Sequence, residues 1–422
     1  MAAAGKASNN RPSPRPGSIF IEFIGVLAFG VSSLFFAVFL LLLASVYGYP
    51  AWRLQSALAP VPLVAWAWTA ATIVMALLPV ALFVTMRTTD VPENWRRPIA
   101  WVVYVGLGGA IILFDVVALR DLLWGAVWLV ERAVPTDLLP AAQRDDWFAL
   151  SALMCPGATI LLSGFAFYQA RRRPPVRHVT VHIPGLPRDL DGLRIAHITD
   201  MHVGPTIRRP FVEVVVATVQ KLQADLIAFT GDLADGPVAE LASEVAPVAR
   251  LSAPLGVWCC TGNHDYYWDA RGWMAKIDAL GLRLVSNGHG VVTRGDARLV
   301  VGGLPDPAGI TGLPDDPRHT PDADAVFAGA PEGTRLLLAH QPAIAIAAGN
   351  TNAALTLSGH THGGQIFPWS LLVGLQQPII AGLHRRVDHP DWIYVNRGVG
   401  YWGPPMRLGA PSEITCLTLR SD

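Results

Sequence analysis

Four long apolar runs dominate the first 170 residues. Residues 23–47, 61–86 and 147–170 carry no charge, and 99–119 carries only Asp115. A bilayer-spanning helix needs about 20 such residues, so each run is long enough. A helix buried in a soluble core is usually shorter and shows a polar stripe, which these runs largely lack. The pattern predicts a four-helix transmembrane region over residues 19–170. The shorter run Leu122–Val130 cannot span alone, and is expected at the interface or as an extension of the third helix. Residues 1–18 are polar, basic and Pro-rich, and read as a disordered tail. The run behind them is too long for a cleavable signal peptide, and there is no twin-arginine pattern.

The pattern changes near Val179. Short apolar runs RIAHIT (194–199), DLIAFT (225–230), GVWCCT (256–261), RLVVGG (298–303), RLLLAH (335–340) and AALTLSG (353–359) read as buried strands. Phe211–Leu222 and Trp273–Leu280 read as intervening helices. This alternation predicts an α/β domain over 190–422, joined to the last span by a linker at 171–189. Residues 306–333, rich in Pro, Asp and Gly, read as a long surface loop.

Composition sharpens this division. Hydrophobic residues make up 52% of the chain and charged residues 15%, against about 25% charged in a typical soluble domain. Formal net charge is zero, which leaves no basic footprint for nucleic acid. The four cysteines, Cys155, Cys259, Cys260 and Cys416, do not form a disulfide framework, in keeping with a reducing compartment. Trp95, Trp101, Trp124 and Trp147 stand near span ends, as interface aromatics do. Basic residues cluster in the tail (Lys6, Arg11, Arg15), between the second and third runs (Arg87, Arg96, Arg97) and after the fourth (Arg171, Arg172, Arg173, Arg177). The opposite loops carry Arg53 on one, and Arg120, Arg132 and Arg144 among acids on the other. By the positive-inside rule both termini, and so the α/β domain, are expected in the cytoplasm.

The chemistry gathers at the strand ends. The first strand ends in Asp200-Met201-His202, the second in Gly231-Asp232 and the third in Gly262-Asn263-His264-Asp265. Later come Ala339-His340 and Gly359-His360-Thr361-His362. Residues at the C-terminal ends of strands converge on one crevice in α/β folds. Asp, Asn and His together form a mixed oxygen and nitrogen donor set suited to Mn, Fe or Zn. Seven donors favour two ions sharing a carboxylate. Gly231, Gly262 and Gly359 stand where the backbone must turn sharply. His360 and His362 would point the same way in an extended segment. His197, inside the first strand, reads as structural, and Cys259 and Cys260 as buried small apolar residues. Asp115 is expected near a solvated helix end, and Arg171–Arg173 as topology markers that also suit anionic lipid.

The C-terminal half resembles a calcineurin-like metallophosphoesterase, in the bacterial membrane-associated phosphodiesterase branch, through AHQP (339–342), LSGHTHGGQI (357–366) and MRLGAPSEITCLTL (406–419). The resemblance covers roughly residues 190–420 and implies a β-sandwich core flanked by helices. It implies that Asp200, His202 and His362 hold one divalent ion and Asn263, His340 and His360 a second, with Asp232 bridging. Manganese is the expected metal, with iron or zinc as alternatives. His264 would protonate the leaving oxygen and Asp265 would orient its ring. The implied function is hydrolysis of a phosphodiester or pyrophosphate bond by an activated water, in a lipid or lipid-linked substrate, at a bacterial inner membrane. A non-catalytic membrane sensor or transporter with a metal- or nucleotide-binding domain is the competing reading, but His264 is a proton donor that pure binding does not need. A phosphomonoesterase or protein phosphatase is a further alternative; Asp265 after Asn-His and GDLADG (231–236) argue against the protein-phosphatase branch.

Overall fold

The computed structural model describes residues 37, 40–55, 58, 62–87, 92–134, 138–349, 351–386 and 391–422. They fall into two compact units, 1–76 and 77–422. The helices of the first half are α1 (residues 40–55), α2 (Pro62–Arg87), α3 (Glu93–Ala133) and α4 (Ala141–Arg171). Three stretches are long and apolar enough to cross a membrane: Pro62–Leu82, Asn94–Ala133 and Ala142–Arg171. Much of the expected span 23–47 lies outside the described residues, so the described candidates number three, not four.

The third span is longer than its apolar run predicts, because α3 continues for 41 residues and absorbs Leu122–Val130. Arg120 does not break the helix, because its charge is satisfied locally. Its guanidinium bonds Ser151 Oγ at 2.9 Å, the Phe148 carbonyl at 2.8 Å and Asp121 at 2.7 Å. It also stacks 4.1 Å from the Phe148 ring centroid. The two helices run antiparallel, with Trp124 beside Phe148 and Trp101 beside Phe167.

The rest of the chain builds two six-stranded sheets. Its elements are β1 (Val176–Ile183), β2 (Arg194–Ile198), α5 (Arg209–Lys221), β3 (Leu226–Phe229), α6 (Val238–Val245), β4 (Val257–Cys259), α7 (His264–Tyr267), α8 (Ala270–Ala279), β5 (Arg283–Leu284), β6 (Gly288–Arg294), β7 (Ala297–Leu304), α9 (Gly309–Gly312), α10 (Ala323–Val326), β8 (Thr334–Ala339), α11 (Pro342–Ala347), β9 (Leu355–Ser358), α12 (Ser370–Val373), β10 (Gly382–Arg385), β11 (Trp392–Val395) and β12 (Ile414–Ser421). One sheet runs β1-β12-β2-β3-β4-β5 and the other β10-β11-β9-β8-β7-β6. β2 to β5 are parallel, as are β7, β8, β9 and β11. The segment expected to be a linker contains β1, which pairs in parallel with β12. The loop 306–333 is not structureless, since it carries α9, a 3-10 turn at Pro317–His319 and α10.

Period-2 alternation explains how both faces of the first sheet are buried. Ile195, Leu226 and Ala228 point toward the second sheet and meet Leu299, Val301, Leu336 and Leu338. Ala196, Ile198, Ile227 and Phe229 point outward against Val212, Val215 and Val219 of α5 and Trp273 of α8. The second sheet covers its outer face with Val326, Phe327 and Ala345. Near-continuous apolar strands are what a sheet buried on both faces requires. The parallel strands of both sheets deliver their C-terminal ends to one side of this sandwich.

Candidate metal centre

Each of those strand ends carries a ligand-type side chain. β2 leads to Asp200 and His202, β3 to Asp232, β4 to Asn263 and His264, β8 to His340, and β9 to His360 and His362. The side chains meet in three overlapping groups: Asp200, His202 and His362; His202, Asp232 and His264; and Asp232, His340 and His360. His202 Nε2 and His362 Nε2 are 3.0 Å apart, and Asp200 Oδ1 lies 3.4 Å from His362 Nε2. Asp232 Oδ2 faces both sides, 3.6 Å from His202 Nε2 and 3.2 Å from His340 Nε2. His340 and His360 stack edge to face, with centroids 5.0 Å apart.

The donor set fits divalent cations, and its orphaned atoms carry the argument. His340 Nε2 and Asn263 Oδ1 are buried without a hydrogen-bond partner. His340 Nε2 makes an ion-pair approach of 3.2 Å to Asp232 Oδ2 without meeting hydrogen-bond geometry. Unsatisfied buried polar atoms cost about 1–3 kcal/mol each, so two of them on the strand ends that build this cluster fit ligands of a cation. Electrostatics agree. Burial disfavours the charged form of Asp200 and Asp232, yet the surrounding histidines hold both well below the usual carboxylate range. Burial also disfavours a charged His340, but Asp232 and its neighbours push it up to about 10. The raised His340 and His202 stand where a cation would compensate the same carboxylates.

The local backbone is bent to make this cluster. Asp200, His202, Asp232, His360 and His362 all have positive φ, between 50° and 70°. Such conformations cost roughly 1–3 kcal/mol each for residues with a Cβ, and they concentrate at functional sites. They also correct one expectation. His360 and His362 do not lie on an extended segment; a tight left-handed turn sends His360 to Asp232 and His340, and His362 to Asp200 and His202. The glycines serve close approach as much as turning. Gly231 has φ of 90°, but at Gly262 a Cβ would fall 2.1 Å from Asp232 Oδ1, and at Gly359 2.3 Å from Asp200 Oδ2.

A second expectation is overturned at His264. Its ring Nδ1 sits 2.7 Å from Asp235 Oδ1, not against Asp265. Asp265 turns inward and accepts from the backbone N–H groups of Asp232, Leu233 and Gly262. Burial and the nearby Asp232 charge push its carboxyl up to about 6. Asp265 therefore braces the two ligand loops, and Asp235 holds the ring. The same Asp235 oxygen lies 3.0 Å from His202 Nδ1. Burial opposes charge on His264, but Asp235 and Asp232 raise it overall above the ordinary histidine range. Asp235 was legible in Asp232-Leu-Ala-Asp235, where a second carboxylate follows the first by three positions.

Arg407 is the other residue the motifs understate. It is fully buried and donates to the carbonyls of Gly400, Ala410 and His362. Its Nη2 lies 3.1 Å from His362 Nδ1, behind the ligand nitrogen. Outside the cluster, His197 bonds Thr230 within the sheet, and Cys259 and Cys260 are buried in the core, as expected. Arg171 does not face lipid: it bonds the Thr206 carbonyl at 2.7 Å and Tyr401 at 2.9 Å. Arg173 likewise bonds Thr218 at 2.9 Å.

A family model described as calcineurin-like phosphoesterase matches residues 193–364, the stretch that holds all of these ligand-type side chains. A transmembrane protein with metallophosphoesterase domain from Danio rerio is 35% identical over 273 residues, which cover 62% of this chain and 61% of that protein. A Bos taurus protein of the same description is 33% identical over 308 residues, 70% of this chain and 67% of its own length. An uncharacterized metallophosphoesterase of Campylobacter jejuni is 35% identical over 270 residues, 62% of this chain and 68% of its own length. The chain thus spans less than two thirds of the Danio rerio relative. Sandwich, ligand loops and relatives agree: the chain belongs to the calcineurin-like phosphoesterase family.

Proposed function

We propose that this chain is a membrane-anchored two-metal phosphoesterase that cleaves a phosphodiester or pyrophosphate bond, in a lipid or lipid-linked substrate, on the cytoplasmic side of the membrane. The observation that carries the reading is the Asp232 carboxylate between two histidine groups, with buried polar atoms lacking hydrogen bonds on His340 (Nε2) and Asn263 (Oδ1). Asp200, His202 and His362 would hold one cation, and Asn263, His340 and His360 the other, with Asp232 shared. Divalent cations, manganese foremost, would supply there a lowered water pKa and neutralisation of the phosphoryl oxygens.

The side chains do the remaining work. Asp235 fixes His264 through Nδ1 and favours its charged form. That leaves its second ring nitrogen to protonate the departing oxygen. Asp265 keeps the Asp232 and Asn263 loops in register. The membrane reading rests on α2, α3 and α4 and on relatives described as transmembrane proteins.

The test is a substrate panel on purified full-length protein with manganese. Diesters, including lipid-linked nucleotide diphosphates, should turn over faster than simple monoesters and phosphopeptides. A clear preference for monoesters or phosphopeptides would overturn the substrate class.

A further inference from the structure

The loop after His362 has no charged side chain from Phe367 to Leu383. It also exposes apolar side chains: Phe367 is 59% exposed, Leu371 67% and Leu375 81%. A folded surface rarely leaves so contiguous an apolar patch to water. Its anchor points show what covers it. Ile366 and Met406 are buried against Ile112 of α3 and Ala166 of α4. Trp369 packs on Phe114, with ring centroids 6.1 Å apart. The loop therefore meets α3 midway along the helix, some 27 Å of helix beyond Arg96 at 1.5 Å per residue.

On both sides of that contact the helices present uncharged apolar side chains outward. Leu119 and Leu122 of α3, and Ile160, Leu161 and Phe165 of α4, are exposed. A membrane-spanning helix turns such side chains to lipid. Through Ile366 and Trp369 the loop that carries the exposed leucines is held against these two helices. The loop also adjoins the metal centre. Gln365 donates to the carbonyls of Trp402 and Pro404, tying the two loops together, and the exposed Trp402 ring lies 5.8 Å from that of His264.

We infer that the loop from Phe367 to Leu375 inserts into the bilayer leaflet beside α3 and α4, and seats the mouth of the metal centre on lipid. This rests on α3 and α4 crossing the membrane. Trp402 then stands at the rim, and a substrate reaches His264 from the leaflet past that ring.

The four cysteines are buried, so an introduced surface thiol takes a fluorophore selectively. The full-length protein is labelled at Leu372→Cys, at Leu161→Cys on α4 and at the exposed Asp324→Cys. It is then placed in phosphatidylcholine nanodiscs containing lipids with an acyl-chain nitroxide quencher. Quenching at 372 and 161, and none at 324, is the expected result. A label at 372 as bright as that at 324, with 161 quenched, overturns the insertion and leaves the spans standing. An unquenched label at 161 removes the spans and the insertion with them. In a second arm, the Leu371→Glu and Leu375→Glu pair should slow hydrolysis of a vesicle-embedded long-chain aryl phosphodiester by roughly tenfold or more, because charge is costly in lipid. The soluble aryl diester should be cleaved at the wild-type rate. Undiminished turnover on vesicles would contradict insertion.

Discussion

Two carboxylates flank His264, and their hydrogen bonds give them different work. Asp235 touches the ring and Asp265 only backbone. Asp235→Asn keeps the size and removes the charge that favours a protonated ring. Turnover should fall roughly 10- to 100-fold on esters with alkoxide-like leaving groups, and little on activated aryl esters, which need no proton. Steady-state rates on the two ester types check this; equal losses would remove the proton-donor role. Asp265→Asn should instead act on stability, by about 2–4 kcal/mol, because three backbone donors lose a charged acceptor. The sequence makes the clustered side chains legible because each follows a short apolar strand, and strand ends of a parallel sheet converge. It misleads at Asp265 because adjacency to His264 in the chain is not adjacency in space. It misleads again at His360 and His362, because alternation fails once both residues take positive φ.

At the scale of elements, the six apolar runs read as strands all form strands, because burial on both faces makes them uniformly apolar. β1 escapes notice for the opposite reason: Val176–Ile183 alternates with Arg177, His178 and His182 and reads as a polar connector. Only its pairing with β12, from the far end of the domain, makes it a strand. The extra length of α3 is equally non-local, since Arg120 is tolerated because α4 supplies its partners. α8 anchors the outer face of the first sheet through Trp273, which is fully buried and donates Nε1–H to the Gly236 carbonyl at 2.8 Å. Trp273→Ala should cost about 3–5 kcal/mol by leaving a cavity under α5 and α6. It should also loosen the loop that carries Asp235. Thermal unfolding and rates on poor leaving groups should therefore both deteriorate, and a variant with wild-type stability would contradict this packing.

For the whole molecule, the charge pattern of the loops predicts which way the catalytic half faces. A periplasmic-only reporter enzyme fused after Asp422 should stay silent in cells, because Arg96, Arg97 and the Arg171–Arg173 run favour the cytoplasm. A bright fusion would reverse the orientation and move the substrates to the outer face. In the structure, Arg171 and Arg173 clamp the domain onto the end of α4. The central claim, a shared carboxylate between two cations, is tested most directly by hydrolysis of an aryl phosphodiester by full-length protein after chelation and metal return. Wild-type protein should fall silent on chelation and recover with manganese. Asp232→Ala should fold yet stay inactive by at least about three orders of magnitude, since both cations lose a ligand. Wild-type rates in the Asp232→Ala protein, or undiminished rates after chelation, would contradict the account.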